Sequence, residues 1–232
     1  MQKQYRRFNM DALLKYQDKT EFNTHDQHKK LGHQSSNVSY VVTFVSNNYG
    51  KRAIFTDLNG VTHKIESGIT ISEGGLLETN NQRVEVRASS GITFRLDKNS
   101  EFSIERTIAG VVPVYYGKVY IFGTSNNEFV DGGKYRTSCY NDIKRGINLL
   151  IMNICDNVDA YYGLDEETVI YEYDESGKKF PLFISGELTV TELKKDKNTY
   201  MRNRYSVVKQ REMTDLEINK IYSYFINPVN WR

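Results

Sequence analysis

The chain has 232 residues, of which 39% are hydrophobic and 26% charged, and its formal net charge is +2. That composition excludes a disordered or membrane-embedded chain, and so small a charge does not by itself imply a nucleic-acid partner. Seventeen tyrosines against three prolines favour pleated strands, where a tyrosine ring packs while its hydroxyl reaches water.

Residues 1–38 are polar and irregular, with a short helical pattern around Leu13, Leu14 and Tyr16, and read as an arm. Strand signals begin at Tyr40-Val41-Val42-Thr43-Phe44-Val45 and scarcely stop before residue 193. Asp57-Leu58-Asn59-Gly60 divides two short strands as a hairpin turn. In 82–105 the apolar residues Val84, Val86 and Ala88, then Ile92, Phe94 and Leu96, then Phe102 and Ile104 alternate with polar ones. This spacing predicts a three-stranded meander with one dry face and one wet face. Gly117 splits Val112–Tyr116 from Lys118–Phe122, and Ile147–Cys155 reads as a central strand or a short buried helix. Ten to twelve strands are expected, in an antiparallel sandwich, jelly roll or coiled β stack. The basic run Lys194 to Arg211 reads as a polar connector. Thr214-Asp215-Leu216-Glu217 is a capping box, and Leu216, Ile218, Ile221, Tyr222 and Phe225 form the stripe of an amphipathic helix that Asn227-Pro228 ends. The division is therefore an arm (1–38), a β domain (39–195), and a connector with a C-terminal helix (196–232).

Chemistry-bearing patterns are sparse. His25-Asp26-Gln27-His28 with His33 has the residue types of a zinc site but no cysteine or glutamate at ligand spacing, so the group reads as solvated loop histidines and no metal is assigned. The fourth histidine, His63, would serve only a metal site inside a barrel. Cys139 and Cys155 read as reduced thiols, with one disulfide the alternative in an oxidising compartment. No Gly-x-Ser-x-Gly elbow or phosphate loop is present. The acidic group Asp156, Asp159, Asp165, Glu166 and Glu167 lacks EF-hand spacing and reads as a solvated loop. Catalysis and a cofactor are not expected. No run of 18 apolar residues and no apolar leader follow Met1, which gives a soluble, cytoplasmic reading without a membrane span.

Between residues 66 and 122 the text has a recognisable order. Gly68-Ile69-Thr70-Ile71 and Gly74-Gly75-Leu76-Leu77-Glu78-Thr79 precede Val84-Glu85-Val86. Ser90-Gly91-Ile92-Thr93-Phe94-Arg95-Leu96, Asn99-Ser100-Glu101-Phe102 and Tyr116-Gly117-Lys118-Val119-Tyr120 follow. This stretch resembles the FecR-like domain of bacterial signalling proteins. The resemblance implies a β-rich domain without catalytic residues, which senses or transmits a signal by protein contact. It also implies that Gly68, Gly91, Asn99, Ser100 and Gly117 serve turn geometry. The expected function is thus a regulatory or signalling β module with a protein partner and no nucleic acid. The alternative is a jelly-roll binder of a small ligand or carbohydrate, with a metal if His63 takes part.

Overall fold

The structure is a computed structural model that describes residues 38–47, 49–107, 110–124, 133–136, 140–142, 146–155, 157–164, 168–173, 179–195 and 205–231. Eighteen strands are present among them, in two sheets of nine. Sheet I holds β1 (Tyr40–Val45), β4 (Thr70–Ile71), β6 (Val84–Ala88), β7 (Thr93–Leu96), β10 (Lys118–Thr124), β13 (Gly146–Cys155), β14 (Val158–Gly163), β17 (Thr189–Lys195) and β18 (Tyr205–Glu212). Sheet II holds β2 (Ile54–Thr56), β3 (Thr62–Lys64), β5 (Leu76–Glu78), β8 (Glu101–Thr107), β9 (Gly110–Tyr116), β11 (Lys134–Tyr135), β12 (Tyr140–Asp142), β15 (Thr168–Tyr173) and β16 (Lys179–Ser185).

The order is β4-β1-β6-β7-β10-β13-β14-β17-β18 in sheet I and β3-β2-β5-β8-β9-β11-β12-β15-β16 in sheet II. Every ladder between neighbouring strands is antiparallel except β9 with β11. The chain thus advances from one end of the sandwich to the other, passing between sheets every one or two strands. The expected ten to twelve strands undercount it, because β4, β5, β11 and β12 have only two or three residues, too few to display a period of two, and because β14 and β18 lie in charged stretches that read as loop and connector.

One core lies between the sheets. Val42, Val86, Phe94 and Leu149 of sheet I meet Leu77, Phe102, Tyr115 and Phe183 of sheet II. Phe94 sits 5.2 Å from Phe102 and 5.8 Å from Tyr115 between ring centroids, and Tyr161 stands edge-on to Phe183 at 5.3 Å. Most described tyrosines are spent here or under the C-terminal helix, so no exposed tyrosine face forms among the described residues.

The meander expected over 82–105 divides between the sheets: β6 pairs with β7, but Asp97–Ser100 carries the chain across, and β8 pairs with β5 and β9. Nor is its polar side wet. Glu85, Thr93 and Arg95 are buried because the C-terminal segment lies over that face of sheet I. The same cover explains the weak alternation of β13. Its odd residues Leu149 and Ile151 enter the shared core, while Leu150 packs beneath the helix.

The segment past residue 195 is not all connector, since β18 continues sheet I through Glu212. The helix α1 (Asp215–Ile221) then begins at the capping box: Glu217 N–H donates to Thr214 Oγ1 at 3.3 Å and Thr214 N–H to Glu217 Oε2 at 2.8 Å. It runs into a π-helical turn at Tyr222–Ile226, and after extended Asn227 a last turn, α2 (Pro228–Trp231), follows. Ile221, Phe225 and Trp231 are buried against Tyr120, Leu150, Tyr162 and Val190. Leu216 and Tyr222, expected on that stripe, face solvent instead; at Tyr222 the π turn changes the angular register, while Leu216 lies five residues and about 140° round the helix from buried Ile221.

Candidate interaction surface

Each sheet ends in one short and one long edge. At one end the edges are β3 and β4, with three and two residues. At the other they are β16 and β18, with seven and eight. Pro181 sits in β16 and removes a donor from that edge. β18 has no such break.

The pairing of β17 with β18 fixes which way each β18 side chain faces. Val207 opposes Leu193 of the shared core, whereas Lys209 opposes Glu192 and Arg211 opposes Val190 on the helix-covered face. Between Lys209 and Val207 the register shifts, leaving Val208 as the extra residue of a bulge. Val207 is 41% exposed and Val208 56%. Two contacts anchor the strand from behind. Gln210 Nε2 donates to the Ile184 carbonyl of β16 at 3.3 Å, tying the two long edges together. The Arg211 guanidinium donates to both carboxylate oxygens of Glu217, at 2.6 and 2.8 Å. That pair raises the Arg211 pKa and holds the Glu217 carboxyl down to about 2, with the Thr214 N–H and hydroxyl assisting. Lys194 and Lys195 of β17 and Lys209 of β18 form no ion pair among the described residues.

A buried ionic network holds the helix that follows. Arg95 Nε donates to Glu85 Oε2 at 2.9 Å, and Thr43 Oγ1 donates to Glu85 Oε1 at the same distance. The Arg95 guanidinium also donates to the carbonyls of Phe225 and Ile226 and lies 4.8 Å from the Phe122 ring centroid. Arg83 donates to the Asn230 carbonyl at 2.9 Å and lies 4.1 Å from the Tyr224 ring centroid. Tyr224 Oη donates to Asp97 Oδ1 at 3.0 Å. Burial, then the neighbouring Asp97 charge, raises the Tyr224 pKa. Two arginines thereby satisfy carbonyls that the helix end leaves open. Most donors of this network aim at a backbone carbonyl or a carboxylate of the chain itself, while Arg83 Nε and Trp231 Nε1 are buried without a hydrogen bond.

The turn residues lie where the chain changes strand or sheet. Gly68, Gly91 and Gly117 have φ of 95°, 106° and 100°, and Asn99 has 57°. Asn99, Ser100 and Gly117 come together: Lys118 N–H donates to Ser100 Oγ at 3.1 Å, and a Cβ on Gly117 would stand 2.8 Å from Ser100 Cα. His63 lies on exposed β3, outside the core, 3.1 Å from Asp57 Oδ2. Asp57 also accepts the Asn59 and Val61 N–H groups, and His63 first, then these amides, lower its pKa. His25, His28 and His33 lie outside the described residues, as do Asp156, Asp165, Glu166, Glu167 and Cys139. No cluster of three metal-ligating side chains occurs among the described residues. Cys155 is exposed and free. Asp159, expected in a solvated loop, is buried in β14 and accepts from Asn153 Nδ2 at 2.9 Å.

Sequence reasoning missed β18 because lysines and arginines surround it, although Tyr205-Ser206-Val207-Val208 carries the β-branched signal of a strand. It also missed the Glu85–Arg95 pair, whose sign was the amphipathic helix itself, since that helix needed a sheet face to cover. No helix among the described residues is long and apolar enough to cross a membrane. Compared with family models, curated proteins and solved structures, the chain finds no match.

Proposed function

We propose that this chain is a non-catalytic β module that acts by protein contact, taking an extended segment of its partner alongside β18. The observation that carries the reading is the edge itself. Among the described residues no strand pairs with the outer side of β18, and its eight residues leave Val207 and Val208 half exposed. An open edge offers unpaired N–H and C=O groups, and pairing with them gives affinity while the alternate side chains give specificity. A regulatory or signalling role within this reading draws on the resemblance of 66–122 to the FecR-like domain, a bacterial family that works by contact.

A photo-crosslinking residue at position 208, in native extract, tests it, with the same residue at exposed Val229 on α2 as the control. A single partner crosslinked from 208 and not from 229 is the expected result. A chain that stays uncrosslinked at 208, or crosslinks alike from both positions, overturns the reading.

The alternative, a small-ligand or carbohydrate binder, has one observation in its favour: an open groove of about 510 Å³ lined by Thr43, Val45, Tyr49, Arg52, Lys64 and Glu66 among others. It ranks second because Lys64 is already bonded to Glu66 at 2.6 Å, and Thr43, Ser67 and Gln82 of its lining are likewise bonded within the chain. Elemental analysis together with glycan-array binding tests it: a bound metal or a selective glycan would support it, and neither would remove it.

A further inference from the structure

The partner's chemistry follows from the charges along the same edge, an inference that rests on the strand-addition reading above. We infer that the segment received by β18 is acidic, with carboxylates at every second position and apolar residues between them.

A strand added beside β18 places its side chains directly opposite those of β18, about 4.5–5.5 Å apart between Cβ atoms, and alternates them between the two faces of sheet I. On the helix-covered side of the sheet, β18 presents Lys209 and Arg211. Arg211 is already neutralised by Glu217, whereas Lys209 forms no ion pair among the described residues although Glu192 stands opposite it on β17, so Lys209 is the β18 cation left for a partner. Lys194, one strand behind and opposite Ser206, adds a second charge, because serine is too short to screen it. The other face offers Val207, and the bulge turns Val208 outward. An incoming strand with period two therefore meets cations on one side and branched apolar surface on the other.

The same features explain which strands are turned away. A lysine and a bulge on an edge are devices that discourage indiscriminate pairing. A basic strand faces repulsion at Lys209, and a neutral one leaves the lysine with only Glu192 of β17 opposite it. An acidic strand converts the obstacle into a contact, so one residue both excludes and selects. Long-range attraction between such a segment and Lys194, Lys195 and Lys209 would also speed encounter and weaken with salt.

The test uses the full chain and three synthetic eight-residue peptides with valine at alternate positions and Glu, Ser or Lys between. A fourth copies the Glu peptide with its alternate amides N-methylated, which keeps the charge and removes edge donors. The Glu peptide is expected to bind at least tenfold tighter than the Ser peptide, to lose binding on N-methylation, and to protect the amides of 205–212 from hydrogen exchange. Lys209→Glu should invert the order in favour of the Lys peptide. Equal affinity for Glu and Ser peptides with N-methyl sensitivity would overturn acidity while leaving strand addition standing. Glu-peptide binding indifferent to N-methylation, or no peptide binding at all, would overturn both. Tighter binding of single-stranded oligo-dT than of the Glu peptide would assign the lysines to nucleic acid and overturn the inference. A self-associating chain whose dimer protects 205–212 would assign the edge to a second copy and do the same.

Discussion

Gly117 joins β9 of sheet II to β10 of sheet I at a φ of 100°, pressed against the Asn99–Ser100 turn that crosses the other way. Two sheet-crossing corners therefore share one small contact. A side chain at 117 meets both a left-handed backbone and the main chain of Asn99 and Ser100, neither of which yields easily. Gly117→Ala is expected to lower unfolding free energy by roughly 1–3 kcal/mol, read from the urea midpoint. Arg95 makes a different demand. It compensates Glu85, which is 8% exposed, so removing the arginine strands a buried carboxylate. Arg95→Met should cost about 3–5 kcal/mol, and the further change Glu85→Leu should recover part of that loss. In urea titrations, a double variant no more stable than Arg95→Met would show that the carboxylate is not the cause. The glycines and Asn99 were legible as turn residues from their types alone. That Asn99–Ser100 and Gly117 cross between sheets was not, because alternation tells which side of a strand is dry and not which sheet the strand joins.

At the scale of elements, the C-terminal helix was legible at its start and illegible at its face. Thr214 and Glu217 carry a local code, two side chains satisfying two backbone groups within one turn. Which residues of the stripe beyond Ile221 become buried depends on a π turn at Tyr222–Ile226, which no period of 3.6 announces. Glu217 carries a second duty beyond the cap, since Arg211 reaches it from β18. Its carboxyl is held near 2, below its unfolded value, so this contribution is fully present above the ordinary carboxylate range, about 4.3. It is lost as pH falls through that range toward about 2. Wild type should therefore exceed Glu217→Gln in urea midpoint at pH 6, and the two should converge as pH approaches 2. A gap that stays constant over that interval would mean the charge is not what links strand and helix.

At the scale of the whole molecule, the shared core runs from Tyr40 to Leu193, and the helix adds a second cluster on the outer face of sheet I. The two are separated only by the thickness of that sheet, and they share its strands: Leu149 points into one and Leu150 into the other. A covering element of this kind either melts with the sheet or detaches first. The network decides in favour of the first outcome, because Arg83 and Arg95 on the sheet side bond carbonyls along the C-terminal part of the covering segment, from Phe225 to Trp231. Undocking would leave those guanidiniums, Glu85 and Asp97 to be solvated at once while exposing Tyr120, Leu150 and Tyr162. The chain supplies its own reporter, since Trp231 is the single tryptophan and is fully buried at that site. In denaturant, the red shift of tryptophan emission is expected to coincide with the loss of far-ultraviolet β signal, one transition by both probes. In Arg95→Met the emission transition should move to lower denaturant and separate from the circular-dichroism one. If wild type already shows tryptophan exposure ahead of sheet melting, the helix is a separately detaching cover, and the buried ion pairs serve specificity of docking rather than the joining of the two cores.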